Sequence, residues 1–117
     1  MESHDAITAL AALAQETRLE ALKLLVKHEP DGMAAGELAR LLKVPQNTLS
    51  SHLSILSRAG LVTGERFSRS IVYKANLSTV HGLVLHLLKD CCNGRPELCA
   101  PLAQDISACC SFGTCGP

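Results

Sequence analysis

Residues 36–60, GELARLLKVPQNTLSSHLSILSRAG, decide the expected fold. Leucines recur three or four positions apart on both sides of Pro45, and this spacing predicts two short amphipathic helices. Pro45 interrupts any single continuous helix and suits the first position of a new one. Gly60 suits the left-handed residue that ends the second helix. The stretch therefore predicts a helix-turn-helix.

The second predicted helix has an outer side of short hydrogen-bonding side chains, with almost no charge before Arg58. An ordinary solvated helix would carry Glu and Lys there, whereas a helix that lies in a DNA major groove needs groups that meet base edges and phosphates. The alternative is a serine-rich surface helix. The candidate DNA-binding residues of this helix are Gln46, Asn47, Thr48, Ser50, Ser51, His52 and Arg58.

Two β-favouring runs, residues 61–67 and 70–75, follow the helix pair and predict a hairpin that packs on the helices. Arg66 and Arg69 lie at its turn. This position and charge favour a wing that contacts the DNA backbone or minor groove over a merely solvated hairpin. Residues 40–74 hold six basic residues and one acidic residue, so a basic face is expected although the net charge of the chain is zero.

Three further helices are predicted over residues 4–14, 17–28 and 78–91, with Thr17 and Ser78 as candidate N-caps. We expect Leu19, Leu22, Leu25 and Val26 to form the buried stripe of the second of them, and Ile7, Leu10 and Leu13 to share one side of the first. The last helix is almost uncharged, which predicts burial against its own domain and against a second subunit.

The expected fold class is mainly α with a small β-hairpin, a winged helix-turn-helix. Its expected domains are residues 1–92 and a cysteine-rich tail, residues 93–117. A chain of 117 residues suits one domain, and 47% hydrophobic with 3% aromatic residues implies an aliphatic core that dimerisation would help to complete. The chain shows neither a membrane-length apolar run nor a basic-then-apolar leader, so we expect a cytoplasmic protein.

All six cysteines lie in two similar clusters near the C-terminal end, Cys91, Cys92 and Cys99, then Cys109, Cys110 and Cys115. In a reducing compartment this favours metal or metalloid binding or redox sensing over structural disulfides. Three converging thiolates suit trivalent arsenic or antimony, whereas zinc would require four ligands. The first cluster is the preferred site because it joins a structural helix. Cys91 as plain dimer core and a redox switch that includes Cys99 are the alternatives.

Three separated motifs resemble ArsR/SmtB metal-sensing repressors. They are LAQETRLEALKLL (13–25), the block from Glu37 to Val62 and RSIVYKA (69–75). The resemblance implies a winged-helix homodimer joined through its first and last helices, which leaves its operator when an inducer binds. The arsenic sensors' cysteine pair in the first helix of the helix-turn-helix is absent. Thr79 replaces an acid of the zinc sensors' final-helix site, although His81 matches. The Cys91, Cys92 and Cys99 arrangement resembles the arsenite-sensing variants.

We therefore expect an arsenite-responsive repressor of double-stranded operator DNA. Methylarsenite or antimonite as the inducer and a thiol-redox or zinc response are the alternatives. An enzyme is not expected, because the chain has no carboxylate pair, activated serine or glycine-rich phosphate loop.

Overall fold

The computed structural model describes residues 1–89 and 96–111. In chain order its elements are α1 (Ser3–Leu13), α2 (Glu16–Lys27), β1 (Met33–Ala34), α3 (Ala35–Leu42), α4 (Gln46–Arg58), β2 (Val62–Phe67), β3 (Ser70–Ala75), α5 (Leu77–Leu88) and α6 (Pro96–Ser111). Helices with a small antiparallel sheet confirm the predicted fold class. Contacts divide the chain into two compact units at the Leu83–Val84 junction, inside α5.

The core of the first unit is aliphatic, as the composition predicts. Its largest fully buried side chains come from α2, α3, α4 and the start of the wing, and they are Leu25, Leu38, Leu49, Leu53, Leu56, Leu61 and Val62. The leucine stripe of α4 therefore packs inward and fixes which side of that helix faces solvent.

Helix α1 buries a different side from the one that its large residues suggest. Ala6, Ala9 and Ala12 are buried against the core, while Ile7 and Leu10 stay 65% and 42% exposed. Only Leu13 of the predicted apolar side packs against the core. Small alanines allow close helix packing, so the chain buries the alanine side and leaves the larger side chains in solvent.

Two details predicted for α2 are wrong. Leu19 and Val26 are exposed, and the buried residues are Ala21, Leu22 and Leu25. The N-cap is Gln15, whose Oε1 accepts a hydrogen bond from the backbone N–H of Arg18 at 3.0 Å, and Thr17 lies inside the helix. The helix starts earlier than expected because the glutamine side chain satisfies one of its free N–H groups.

The predicted hairpin is present with its two-residue turn at Ser68–Arg69, where Phe67 pairs with Ser70. A third strand, β1, pairs antiparallel with β3 and gives the order β1-β3-β2. The sequence did not reveal β1 because it is only two residues long. Its pairing fastens the hairpin to the segment that precedes α3.

The last predicted helix begins earlier than expected. Asn76 Oδ1 accepts from the backbone N–H of Thr79 at 3.4 Å, so Asn76 rather than Ser78 caps α5. Leu83 is buried, while Val84, Leu85 and Leu87 are exposed. The tail holds a further helix, α6, which runs through Pro101 and was not predicted. Among the described residues, no helix is long and apolar enough to cross a membrane.

Candidate DNA-binding surface and effector site

Helix α4 presents two chemically distinct sides. Leu49, Leu53 and Leu56 have no exposed surface. The opposite side is exposed and polar, and among the candidate DNA-binding residues it holds Gln46, Asn47, Thr48, Ser50, Ser51 and Arg58. The structure thus gathers nearly all candidate residues of this helix on one solvent-facing side. That side can exchange hydrogen bonds with base edges and phosphate oxygens.

The turn before α4 fixes where this polar side begins. Lys43 adopts a left-handed conformation (φ 58°), and Val44 N–H donates to Ala39 O at 3.1 Å, which closes α3. Pro45 is extended (ψ 145°) and lies just before the helix, not at its first helical position as predicted. The Gln46 amide lies near Gly36, the second residue of α3. A Cβ added at Gly36 would lie 3.7 Å from Gln46 Oε1.

The wing places both predicted arginines in solvent. Arg66 lies on β2 opposite Ile71, and Arg69 lies in the turn beside Ser68, which has a left-handed φ of 57°. Among the described residues neither arginine forms an ion pair. Both guanidinium groups are therefore available for phosphate contact.

His52 differs from the other candidates on α4. It is half-buried, and its Nδ1 lies 3.2 Å from Nη1 of Arg18 on α2. The Nε of the same arginine donates a short hydrogen bond to Ala12 O near the end of α1. Sequence reasoning missed Arg18, although it lies inside the 13–25 motif.

Two other arginines have distinct surroundings. Arg58 lies at the far end of α4 and lines a cavity of about 360 Å³ with Asp5 and Thr8 of α1 and Thr79 of α5. Its role in DNA binding stays a prediction. Arg40 on α3 forms an ion pair with Glu37 one turn earlier.

Comparison with known proteins agrees with this geometry. A family model described as a helix-turn-helix domain matches residues 13–65. The transcriptional activator HlyU of Vibrio cholerae is 34% identical over 88 residues, which cover 74% of this chain and 79% of HlyU. The chain belongs to the ArsR/SmtB family of winged-helix transcriptional regulators.

Other members of the family and its fold support this placement. The transcriptional repressor SmtB of Mycobacterium tuberculosis is 40% identical over 65 residues, but these cover only 46% of SmtB. The structure of V. cholerae HlyU has a TM-score of 0.60 at 31% identity, covering 78% of this chain and 99% of HlyU. The homodimeric winged helix-turn-helix domain Mb0332 of Mycobacterium bovis has a TM-score of 0.62 at 23% identity, covering 73% and 77%, and shows the fold alone.

In the first turn of α5, this ArsR/SmtB chain departs from the pattern of the zinc sensors that it resembles. Thr79 occupies the position expected for an acid, and its backbone N–H donates to Asn76 Oδ1. His81 is exposed two residues later. Among the side chains that the structure describes, which exclude those of all six cysteines, no three His, Asp or Glu lie together as a metal site.

The predicted thiol sites lie only partly within the described residues. Cys91, Cys92 and Cys115 fall outside them, so their predicted roles are untested. Cys99 is the fourth residue of α6, and Cys109 and Cys110 lie in its last turn. At 1.5 Å of rise per residue, Cys99 and Cys109 are separated by roughly 15 Å along the helix axis.

Proposed function

We propose that the protein is a transcriptional repressor that binds double-stranded operator DNA as a homodimer and is released when trivalent arsenic binds its cysteine thiolates. The observation that carries the DNA-binding part is the exposed, nearly uncharged polar side of α4 above a fully buried leucine stripe. The wing supplies Arg66 and Arg69 beside the groove that α4 enters.

Exposed apolar side chains support the homodimer. Helix α1 leaves Ile7 and Leu10 in solvent, and the second half of α5 leaves Val84, Leu85 and Leu87 in solvent. Leu85 is 67% exposed although it lies in a nearly uncharged helix. A second copy of the chain would bury these groups, and a two-fold dimer would place two α4 helices in successive major grooves.

The inducer assignment rests on ligand chemistry. Three residues, 93–95, separate Cys92 from the start of α6, and Cys99 lies in the first turn of that helix, so only six residues lie between Cys92 and Cys99. Three thiolates satisfy arsenite or antimonite, whereas methylarsenite requires only two. Binding at this cluster would tighten the segment between α5 and α6 and change the spacing of the two DNA-binding surfaces. Coupling of about 1–3 kcal/mol is typical of such allostery, equivalent to a roughly 5- to 150-fold loss of operator affinity.

An anisotropy titration of labelled operator DNA with arsenite tests the proposal. We expect wild-type protein to bind and then release the DNA. Cys91→Ser and Cys99→Ser should bind equally well but resist release, and Cys115→Ser is the matched control. Release of the Cys91→Ser and Cys99→Ser variants at the wild-type arsenite concentration would show that the thiol assignment is wrong.

The same titration separates the other inducers. If Cys99→Ala loses its response to arsenite but keeps its response to methylarsenite, the natural ligand needs only the Cys91–Cys92 pair. Release by peroxide in a chelated, metal-free sample, reversed by a thiol reductant, would instead establish a redox regulator.

A further inference from the structure

Arg18 connects three helices of the first unit. Its backbone N–H donates to Gln15 Oε1 at 3.0 Å, its Nε donates to Ala12 O, and its Nη1 lies 3.2 Å from Nδ1 of His52 on α4. The side chain is half-buried. A guanidinium group holds its donors in a rigid fork, so one arginine can satisfy a carbonyl of α1 and a ring nitrogen of α4 together.

The contact with Arg18 determines which nitrogen of His52 carries the proton. Arginine has no acceptor, so the hydrogen bond requires a lone pair on Nδ1. Neutral His52 must then carry its proton on Nε2, and the doubly protonated ring cannot make this contact at all. Among residues 1–89 and 96–111, no hydrogen bond is formed with Nε2 of His52.

We infer that Arg18 is a positioning residue of the DNA-binding surface, which holds His52 in the tautomer that offers one fixed N–H donor from α4 to a DNA acceptor. The inference rests on the proposed DNA-binding function of α4. The matching acceptor is a purine N7 or guanine O6 in the major groove, or a phosphate oxygen. Because Arg18 also contacts α1, a movement of α1 alters the same donor.

Nitrogen NMR of the imidazole rings in the DNA-free protein tests whether Arg18 fixes the tautomer of His52. We expect wild-type His52 to show an unprotonated Nδ1 and a protonated Nε2 at alkaline pH. Arg18→Ala and Arg18→Lys should mix the two tautomers, since lysine keeps the charge but cannot bridge both acceptors. Lys23→Ala, which removes an exposed cation from the same helix, should leave the ring unchanged. A protonated Nδ1 in the wild type, or unaltered ring signals in both Arg18 variants, would overturn the assignment.

Operator binding by a matched pair of variants tests whether the Nε2–H group of His52 donates to DNA. His52→Gln places an N–H donor near the position of Nε2, whereas His52→Asn keeps an acceptor near Nδ1 and removes the distal donor. We expect Gln to retain affinity and Asn to lose about three- to tenfold, the effect of one hydrogen bond. Retained affinity in the Asn variant would contradict the proposal.

A double substitution tests whether the two residues act as one unit. Adding Arg18→Ala to His52→Asn should cause no further loss of affinity, because Arg18 acts through the ring. If Arg18→Ala lowers the operator affinity of the His52→Asn protein as much as it lowers that of the wild type, Arg18 contacts DNA on its own.

Modified operators distinguish the three acceptors. Loss of the His52→Asn effect on a 7-deazapurine operator identifies a purine N7, and its loss when 2-aminopurine replaces guanine identifies guanine O6. Its loss on a methylphosphonate operator identifies a phosphate. If wild-type protein binds no operator, the proposed function fails. The NMR measurement of the His52 tautomer still decides whether Arg18 positions the ring.

Discussion

At the scale of single residues, two glycines share one backbone angle and differ in the space around them. Gly32 and Gly60 both have φ +77°. A Cβ at Gly32 would lie 2.5 Å from Tyr73 O of β3, whereas the nearest atom to a Cβ at Gly60 is Thr79 Oγ1 at 3.7 Å. Backbone oxygen in a paired strand cannot move aside cheaply, so the two positions separate steric overlap from backbone strain.

We therefore expect Gly60→Ala to lower the free energy of unfolding by about 1 kcal/mol, the cost of a left-handed alanine. Gly32→Ala should cost clearly more, because the clash adds to the same strain. Urea denaturation followed by circular dichroism measures both values. Equal costs would show that the Gly32 turn can shift away from β3.

Helix caps show how far sequence reasoning reaches at this scale. The helical spacing located α2 and α5, but their caps are Gln15 and Asn76 rather than Thr17 and Ser78. Serine and threonine are intrinsically good caps, yet which residue caps depends on where the backbone turns into the helix. Arg18 was missed for a related reason. Its importance lies in a contact with His52, 34 positions away in sequence, which no local pattern encodes.

At the scale of elements, adjacent residues of α4 have different roles: buried ones stabilise the fold, and exposed ones are available for recognition. Leu53 is fully buried and Ser54 is exposed. Leu53→Ala should destabilise the protein by about 2–5 kcal/mol, the usual cost of a buried leucine. Ser54→Ala should change stability by less than about 0.5 kcal/mol. Thermal unfolding monitored on both variants checks this. A large loss of stability in Ser54→Ala would mean that the polar side of α4 is not a free surface.

The wing makes a separate prediction, about the salt dependence of DNA binding. If Arg66 and Arg69 each contact a phosphate, replacing either with Ala should reduce the slope of log affinity against log salt by about 1. Lys23→Ala provides the control, because Lys23 lies on α2 beside Glu20 and outside the candidate DNA-binding surface. Anisotropy titrations at several salt concentrations give the slopes. Unchanged slopes in both arginine variants would show that the wing does not touch the backbone.

The elements that sequence reasoning missed or misjudged share a physical origin. Periodicity shows that α1 has apolar sides, but not that Ala9 packs inside while Ile7 stays outside. That choice depends on the shape of the neighbouring helices. Strand β1 is defined by its partner β3 rather than by its own two residues. Helix α6 lies in the segment that the sequence predicts only as a cysteine-rich tail, and it contains Pro101, a residue that normally argues against a helix.

At the scale of the whole molecule, dimerisation is testable without disturbing the fold of one chain. Leu85 is 67% exposed, so replacing it with Glu removes little burial within the chain. We expect Leu85→Glu to convert the dimer into a monomer in sedimentation equilibrium and to weaken operator binding. Leu41→Glu is the matched control, because Leu41 is an exposed leucine of α3. A dimeric Leu85→Glu protein would exclude this part of α5 from the interface.

The location of the sensing thiols makes the last prediction. Helix α6 carries Cys99 at its start and the Cys109–Cys110 pair in its last turn, roughly 15 Å apart along the axis. A chain that ends at residue 104 keeps the first cluster and loses the second. If Cys91, Cys92 and Cys99 bind the inducer, this truncated chain should retain one tightly bound arsenic per protomer and full operator release. Mass spectrometry of the native complex counts the arsenic, and anisotropy measures the release.

Cys99→Ser in the truncated chain should abolish both signals. If the truncated chain instead retains operator binding but no longer responds to arsenite, the sensing site lies in the second cluster. The effector would then act on the operator-binding surface through α6.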